Sequence, residues 1–324
     1  MRSIRSLEPE DHLGFKPGTC CSYPCRWGIS VAYTRPRSLY AYSLHGRSDD
    51  EVLDYDAFFA ALSEADVLER QTAVGDETVA LTAVERRSGN RWALRFVSGR
   101  EGLPPLFYDP VSGTESTADL GSSFVATASW VFLDASTRIV IAERTRPGVS
   151  IGAIARALSH LGRELGIAPR LVIDLNPVAS PGFLAELDRF DRIRQAAVVL
   201  TRPNYNWSDS STELSGYADE SNAGTVDVTM SAGRGQSLAR NEGIVADIKS
   251  LTSKLVGPIK NLRITGTRTG ESKETSVSLA KHQEKRFVTV DEGGSAAAIR
   301  DTLESMAMNF LNELHDADDS ETSG

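Results

Sequence analysis

The 324 residues are 40% hydrophobic and 24% charged, with a formal net charge of −9, the make-up of a soluble globular chain with room for one large or two ordinary domains. No uninterrupted apolar run approaches the roughly 20 residues of a membrane-spanning helix, and no apolar core of a secretory signal opens the sequence, so a cytoplasmic location is expected. Cys20, Cys21 and Cys25 are the only cysteines, which excludes a disulfide framework; with His12 they could form a zinc site only if two separated ligand hairpins faced each other, and one tight cluster does not supply that.

Residues 1–30 have no hydrophobic period and much Pro, Gly and Ser, which reads as a flexible leader. The abrupt change to patterned sequence fits a start near Val31. From Ser38, SLYAYSLHG reads as a strand, and YDAFFAALSEADVL as a short helix with Phe58, Phe59, Leu62 and Leu68 on its apolar side. TVALTAVERRSGNRWALRFVSG holds two β-rich runs joined at Ser88, Gly89 and Asn90, a hairpin signal because Gly and Asn tolerate positive φ. SSFVATASWVFLDASTRIVIAERT repeats the design with its turn at residues 134–137. Trp92 and Trp130 fall on these strands as core or edge packing.

After Pro147 the rhythm changes. Ser150 can cap the helix IGAIARALSHLGRELG, whose Ile151, Ile154, Leu158, Leu161 and Leu165 recur at helical spacing. His160 is off that stripe and reads as a solvated residue. RLVIDL (strand), PGFLAELDRF (helix opened by proline) and IRQAAVVLTRPN (strand) follow; the alternation argues for an α/β arrangement, while crossovers this short leave parallel pairing open. Next come a polar helix near residues 209–221, a strand TVDVTM, a helix IVADIKSLTSKLV and a hairpin within residues 259–286. A final helix aligns Ile299, Leu303, Met306, Phe310 and Leu314. The fold class is therefore α+β: an antiparallel β-rich part over 31–148, an α/β part with a basic hairpin over 149–315, and an acidic tail over 316–324 expected to be disordered.

Signatures of catalysis are sparse. Gly233-Arg234-Gly235 has neither the P-loop lysine pattern nor dinucleotide glycine spacing and reads as a turn, and no Gly-x-Ser-x-Gly elbow occurs. The five histidines, His12, His45, His160, His282 and His315, stand singly, without the spacing that puts two ligands on one helix face. No cofactor is implied. A Mg²⁺-dependent nuclease would draw on Asp227, Asp247 and Lys249, or on Glu271 and Lys273. Such enzymes, however, set acid and lysine side by side on one strand, whereas Asp247 falls in a helix and Glu271 at a hairpin tip.

Charge carries the strongest signal. IKNLRITGTRTGESKETSVSLAKHQEKR, residues 259–286, holds seven basic against three acidic residues, a local +4. From Arg234 to Arg286 eleven basic face five acidic residues, giving +6 and leaving −15 for the remainder. Strand alternation puts Leu262 and Ile264 on one face and Arg263, Thr265 and Thr267 on the other, with Ser276 and Ser278 opposite Val277 and Leu279, and with Arg268 and Lys273 near the turn. Hydroxyls and cations bond phosphate oxygens without reading bases, and binding driven by counterion release depends on the local patch and not on net charge. The expected interface is Arg263, Arg268, Lys273 and Lys281, flanked by Arg234, Arg240, Lys249 and Lys254; an exposed Lys- and Thr-rich hairpin that merely stays soluble is the alternative.

The order of segments, LVIDLNPVASPGFLAELDRFDRIRQAAVVLTRPN, then TVDVTMSAGRGQSL, a helix and LRITGTRTGESKETSVSLAKHQEKRFVTV, resembles the middle and C-terminal parts of the RexA-like phage-exclusion proteins over about residues 125–315. The resemblance implies a non-enzymatic, dimeric DNA-binding protein that senses or responds to phage infection alongside a membrane effector, and together with the basic patch the expectation is a homodimer on duplex DNA. It transfers no residue-level motif. The alternatives are the Mg²⁺-dependent nuclease and a protein-interaction module without nucleic acid.

Overall fold

A computed structural model describes residues 34–48, 51–102, 105–118, 120–121, 123–201 and 224–322. The leader with its cysteines and the polar helix expected at 209–221 lie outside the described residues. The elements in chain order are β1 (Thr34–Ser48), β2 (Glu51–Val52), α1 (Tyr55–Glu64), β3 (Gln71–Val74), β4 (Glu77–Arg86), β5 (Arg91–Gly99), β6 (Leu106–Asp109), β7 (Thr114–Thr117), β8 (Thr127–Asp134) and β9 (Ile139–Arg144). They continue with α2 (Ile151–Glu164), β10 (Val172–Pro177), α3 (Pro181–Asp188), β11 (Phe190–Thr201), β12 (Thr225–Ser231), α4 (Gly243–Ser253), β13 (Ile259–Arg268), β14 (Glu274–Ser278), β15 (Lys285–Asp291) and α5 (Ala296–Thr322).

Strand β1 organises the larger sheet because it is apolar on both faces: Leu39 and Ala41 point one way, Tyr42 and Leu44 the other. Such a strand must be covered on both sides. One of its edges pairs with β9, while β10 and β15 share the other, so that the nine-stranded sheet runs β10-β1-β9-β8-β5-β4-β3 with β15 and β2 also on β1. Helices α1 and α2 cover one face through Phe58, Phe59, Leu62, Ile154, Leu158 and Leu161. Helix α5 covers the other through Leu303, Ala307, Phe310 and Leu314. The cap read from sequence forms, Ser150 Oγ accepting from Ala153 N, and the structure adds a second at α1, where Asp54 Oδ1 accepts from Ala57 N; each meets a donor the helix leaves open.

The class is α+β, as expected. In the C-terminal part the pairing left open proves antiparallel: the second sheet, β12-β11-β13-β14, has no parallel neighbours, because the chain returns by hairpins or by α4 across β11. The division expected at 148/149 does not follow the sheets, since α2, β10, β15 and α5 all join the larger one. Leu68 lies beyond α1 and is exposed, and α5 runs on to Thr322 where an irregular tail was expected. Trp92 is buried with Nε1 donating to Asp56 Oδ1, while Trp130 is half-buried and stacked on Phe132.

Gly162 explains the close approach of α2. A Cβ there would run into Leu171 Cδ2 and the Phe58 ring, so Gly162→Ala is expected to destabilise the fold by about 1–3 kcal/mol through overpacking, read as a lower urea midpoint with an unchanged slope.

The two sheets meet at a buried polar joint. Asn176 Nδ2 donates to Thr201 Oγ1 at 2.8 Å, Thr201 Oγ1 donates to Pro258 O at 3.1 Å, and Ser43 Oγ lies 2.9 Å from His45 Nε2 and 3.3 Å from Gly257 O. Ser43, His45, Asn176 and Thr201 are all buried.

Candidate nucleic-acid interface

Among the described residues the second sheet is covered on one face only, by helices α3 and α4, whose Phe183, Leu187, Ile244, Val245, Ile248 and Leu251 pack on Ala196, Val198, Leu262, Ile264 and Val277. Strand alternation sends the intervening residues to the other face. There the register sets Ser231, Gln195, Thr265 and Ser276 in one row and Thr229, Ala197, Arg263 and Ser278 in the next, with Asp227, Val199 and Asn261 beyond. Thr265 and Ser276 hydroxyls bond at 2.8 Å. Arg263 is exposed and makes no ion pair among the described residues.

One end of this face is shaped by a bulge. Gly266 has the Arg192 carbonyl and Ile193 Cα so close that no Cβ fits, and β11 shifts register on both sides of Ile193. The irregular stretch brings Arg192 and Arg194 to a cavity of about 500 Å³ whose lining also includes Arg234 and Glu274. Arg194 pairs with Glu274 at 2.9 Å and Arg192 Nε donates to Gln236 O at 2.9 Å. Gly235, at φ 79°, lets the loop turn beside them.

The eight residues expected at the interface separate. Arg263 is central, Arg234 lies at the bulged end, and Lys273 is exposed at the hairpin tip next to Glu274. Arg268 does not join them. It shares the parity of Leu262 and Ile264, so it points to the helix-covered side and pairs there with Glu186 at 2.6 Å. Lys249 pairs with Asp188 at 2.7 Å and Arg240 donates to the Asp188 carbonyl at 3.1 Å, both on the helix side. Lys254 caps the end of α4 and Lys281 closes the 3₁₀ turn Leu279–Lys281, both exposed. Lys260 and Arg286 are likewise engaged, by Asp174 and by Glu284 and Glu313. Sequence reasoning missed Arg192 and Arg194; the signal was an Arg-x-Arg step at the start of a strand.

The first set of nuclease residues, Asp227, Asp247 and Lys249, is not assembled. Asp227 is on the open face of β12, whereas Asp247 and Lys249 are on α4, across the sheet. Among the described residues no group of three His, Cys, Asp or Glu side chains is placed to hold a metal ion, and no helix is long and apolar enough to cross a membrane. No protein-family model matches the sequence, and no significant match is found among curated proteins.

Proposed function

We propose that the protein binds duplex DNA through its phosphates, without chemistry on it, using the open face of the β12-β11-β13-β14 sheet. The observation that carries this reading is Arg263, unpaired among the described residues and set in rows of hydroxyl and amide side chains that lead to Arg192, Arg194 and Arg234. Such groups hold a phosphate backbone and fix its register without selecting bases. A homodimer would place two faces along one duplex. A cytoplasmic role in excluding phage, beside a membrane effector, is proposed on the resemblance of segment order to the RexA-like proteins alone.

The test is fluorescence anisotropy with a labelled duplex over a salt series, Mg²⁺ present and the products run on a gel. Each phosphate contact contributes about −0.9 to the slope of log K against log salt, so Arg234→Ala with Arg263→Ala should flatten it by about two units for all DNA sequences. Lys249→Ala, which removes a cation already paired with Asp188, should leave it unchanged. Absence of binding by the native protein at low salt overturns the proposal, and cleaved duplex replaces it with a nuclease.

A further inference from the structure

Under α5, on the face of the large sheet away from α1 and α2, the apolar layer ends in a polar cavity. Its volume is about 450 Å³, within the range of small-molecule sites. Arg95 of β5 and Trp130 of β8 are register partners, and Glu143 of β9 accepts from the Trp130 N–H at 3.0 Å. Arg35 and Arg37 of β1, Arg144 at the end of β9, Arg146 beyond it, Glu292 after β15 and the first turn of α5 also line it.

Arg144 lies over the Tyr40 ring, 5.2 Å from its centroid, and the other four arginines fall into two sets. Arg37 is satisfied: it donates to Glu143 at 2.6 Å and to Glu292 at 2.8 Å, and Arg35 approaches Glu292 at 3.9 Å. Arg95 and Arg146 make no ion pair among the described residues, although the Arg95 charge is near enough to Glu143 to favour its carboxylate. Arg95 lies over the Trp130 ring, 5.6 Å from its centroid, with Nε buried and without a hydrogen-bond partner there. The stack holds the guanidinium in place. Arg146 is exposed at the mouth. Both carboxylates bond Arg37, and five lining arginines face these two carboxylates, so the cavity keeps an excess of positive charge in a chain whose net charge is −9.

We propose that this cavity binds a phosphate ester with a compact, non-aromatic body, its phosphoryl oxygens held by Arg95 and Arg146. A guanidinium fork matches two oxygens of a phosphoryl group. A carboxylate has only two oxygens and one charge to offer two forks, whereas a phosphoryl dianion has three. Arg95 and Phe132 lie against the Trp130 ring, which leaves it ill placed to stack on a base, and the apolar walls are aliphatic, from Pro36, Pro147, Ile299 and Leu303.

The site is on the larger sheet and does not depend on the DNA-binding reading. Isothermal titration calorimetry at low ionic strength tests it, with glycerol phosphate as probe and glycerol as control. Saturable binding of glycerol phosphate alone is expected, weakened about tenfold or more by Arg146→Ala and by Arg95→Met, since one charged hydrogen bond contributes about 1.5–3 kcal/mol. Arg146→Ala removes an exposed side chain and should fold normally, and Arg95→Met keeps contact with Trp130. Arg263→Ala should bind the probe as the native protein does. No saturable binding up to about 10 mM, or equal affinity in the Arg146→Ala and Arg95→Met variants, overturns the proposal.

Discussion

Between pH 6.5 and about 4 the protein is expected to lose about 3 kcal/mol of folding stability through one side chain, His45. Burial in the joint between the sheets is the main cause, with the Arg138 charge second; together they lower the imidazole to about 4, against the weaker opposing pull of Asp174 and the Gly257 carbonyl. The sign follows from which state takes the proton first. Above pH 6.5 both states hold neutral histidine and the joint is intact. As pH falls the unfolded chain is protonated while the folded one resists, so stability declines by about 1.4 kcal/mol per unit until the folded pKa is reached. Urea unfolding at about pH 7.5 and about pH 4.5 for the native protein and His45→Gln measures it. Carboxylates contribute alike to both proteins, so the gap between them should narrow at the acid end; parallel curves would mean that His45 is not held neutral.

The second large effect is expected at Arg37. Glu143 is 3% exposed, and its carboxyl is pushed above the ordinary range by burial, which the Trp130 N–H and Arg37 oppose. Removing the cation leaves a buried charge without its partner, and Arg37→Met should cost about 3 kcal/mol at neutral pH. An acid whose folded pKa lies above its unfolded value destabilises once it ionises, so this variant should recover part of the loss as pH falls, a slope opposite to that of His45. Adding Glu143→Gln to Arg37→Met should restore stability near pH 7, because the amide still accepts from Trp130 N and carries no charge. A double variant no more stable than Arg37→Met would show that Arg37 acts through packing alone.

Local periodicity made the elements legible: Ser150 capping α2, the turn at Gly89, and the faces of β13 divided between Leu262 and Arg263. The same parity also places Arg268 beside Leu262 and Ile264, away from Arg263. What a window of sequence could not contain was the partner of each charge. The local +4 of residues 259–286 is offset by Asp174, Glu186 and Glu313, which lie outside that window and reach it only through the fold. Nor could the window contain β1's two-sided pairing, which joins residues near 40 to residues near 290. The arginine cavity gathers side chains from β1, β5 and the segment after β9, none of them remarkable alone.

That pairing of β1 with β15 sets the order of assembly during synthesis. The backbone groups of Thr34–Tyr40 that β15 occupies stay open while the ribosome builds nearly all the rest of the chain, on the order of tens of seconds at ordinary elongation rates. Until Lys285–Asp291 and α5 emerge, Leu39, Ile141 and Phe132 lack the layer that covers them. A nascent chain stalled before Lys285 would therefore present an unpaired edge beside an apolar face, the combination that holdase chaperones bind and that seeds aggregation when they do not.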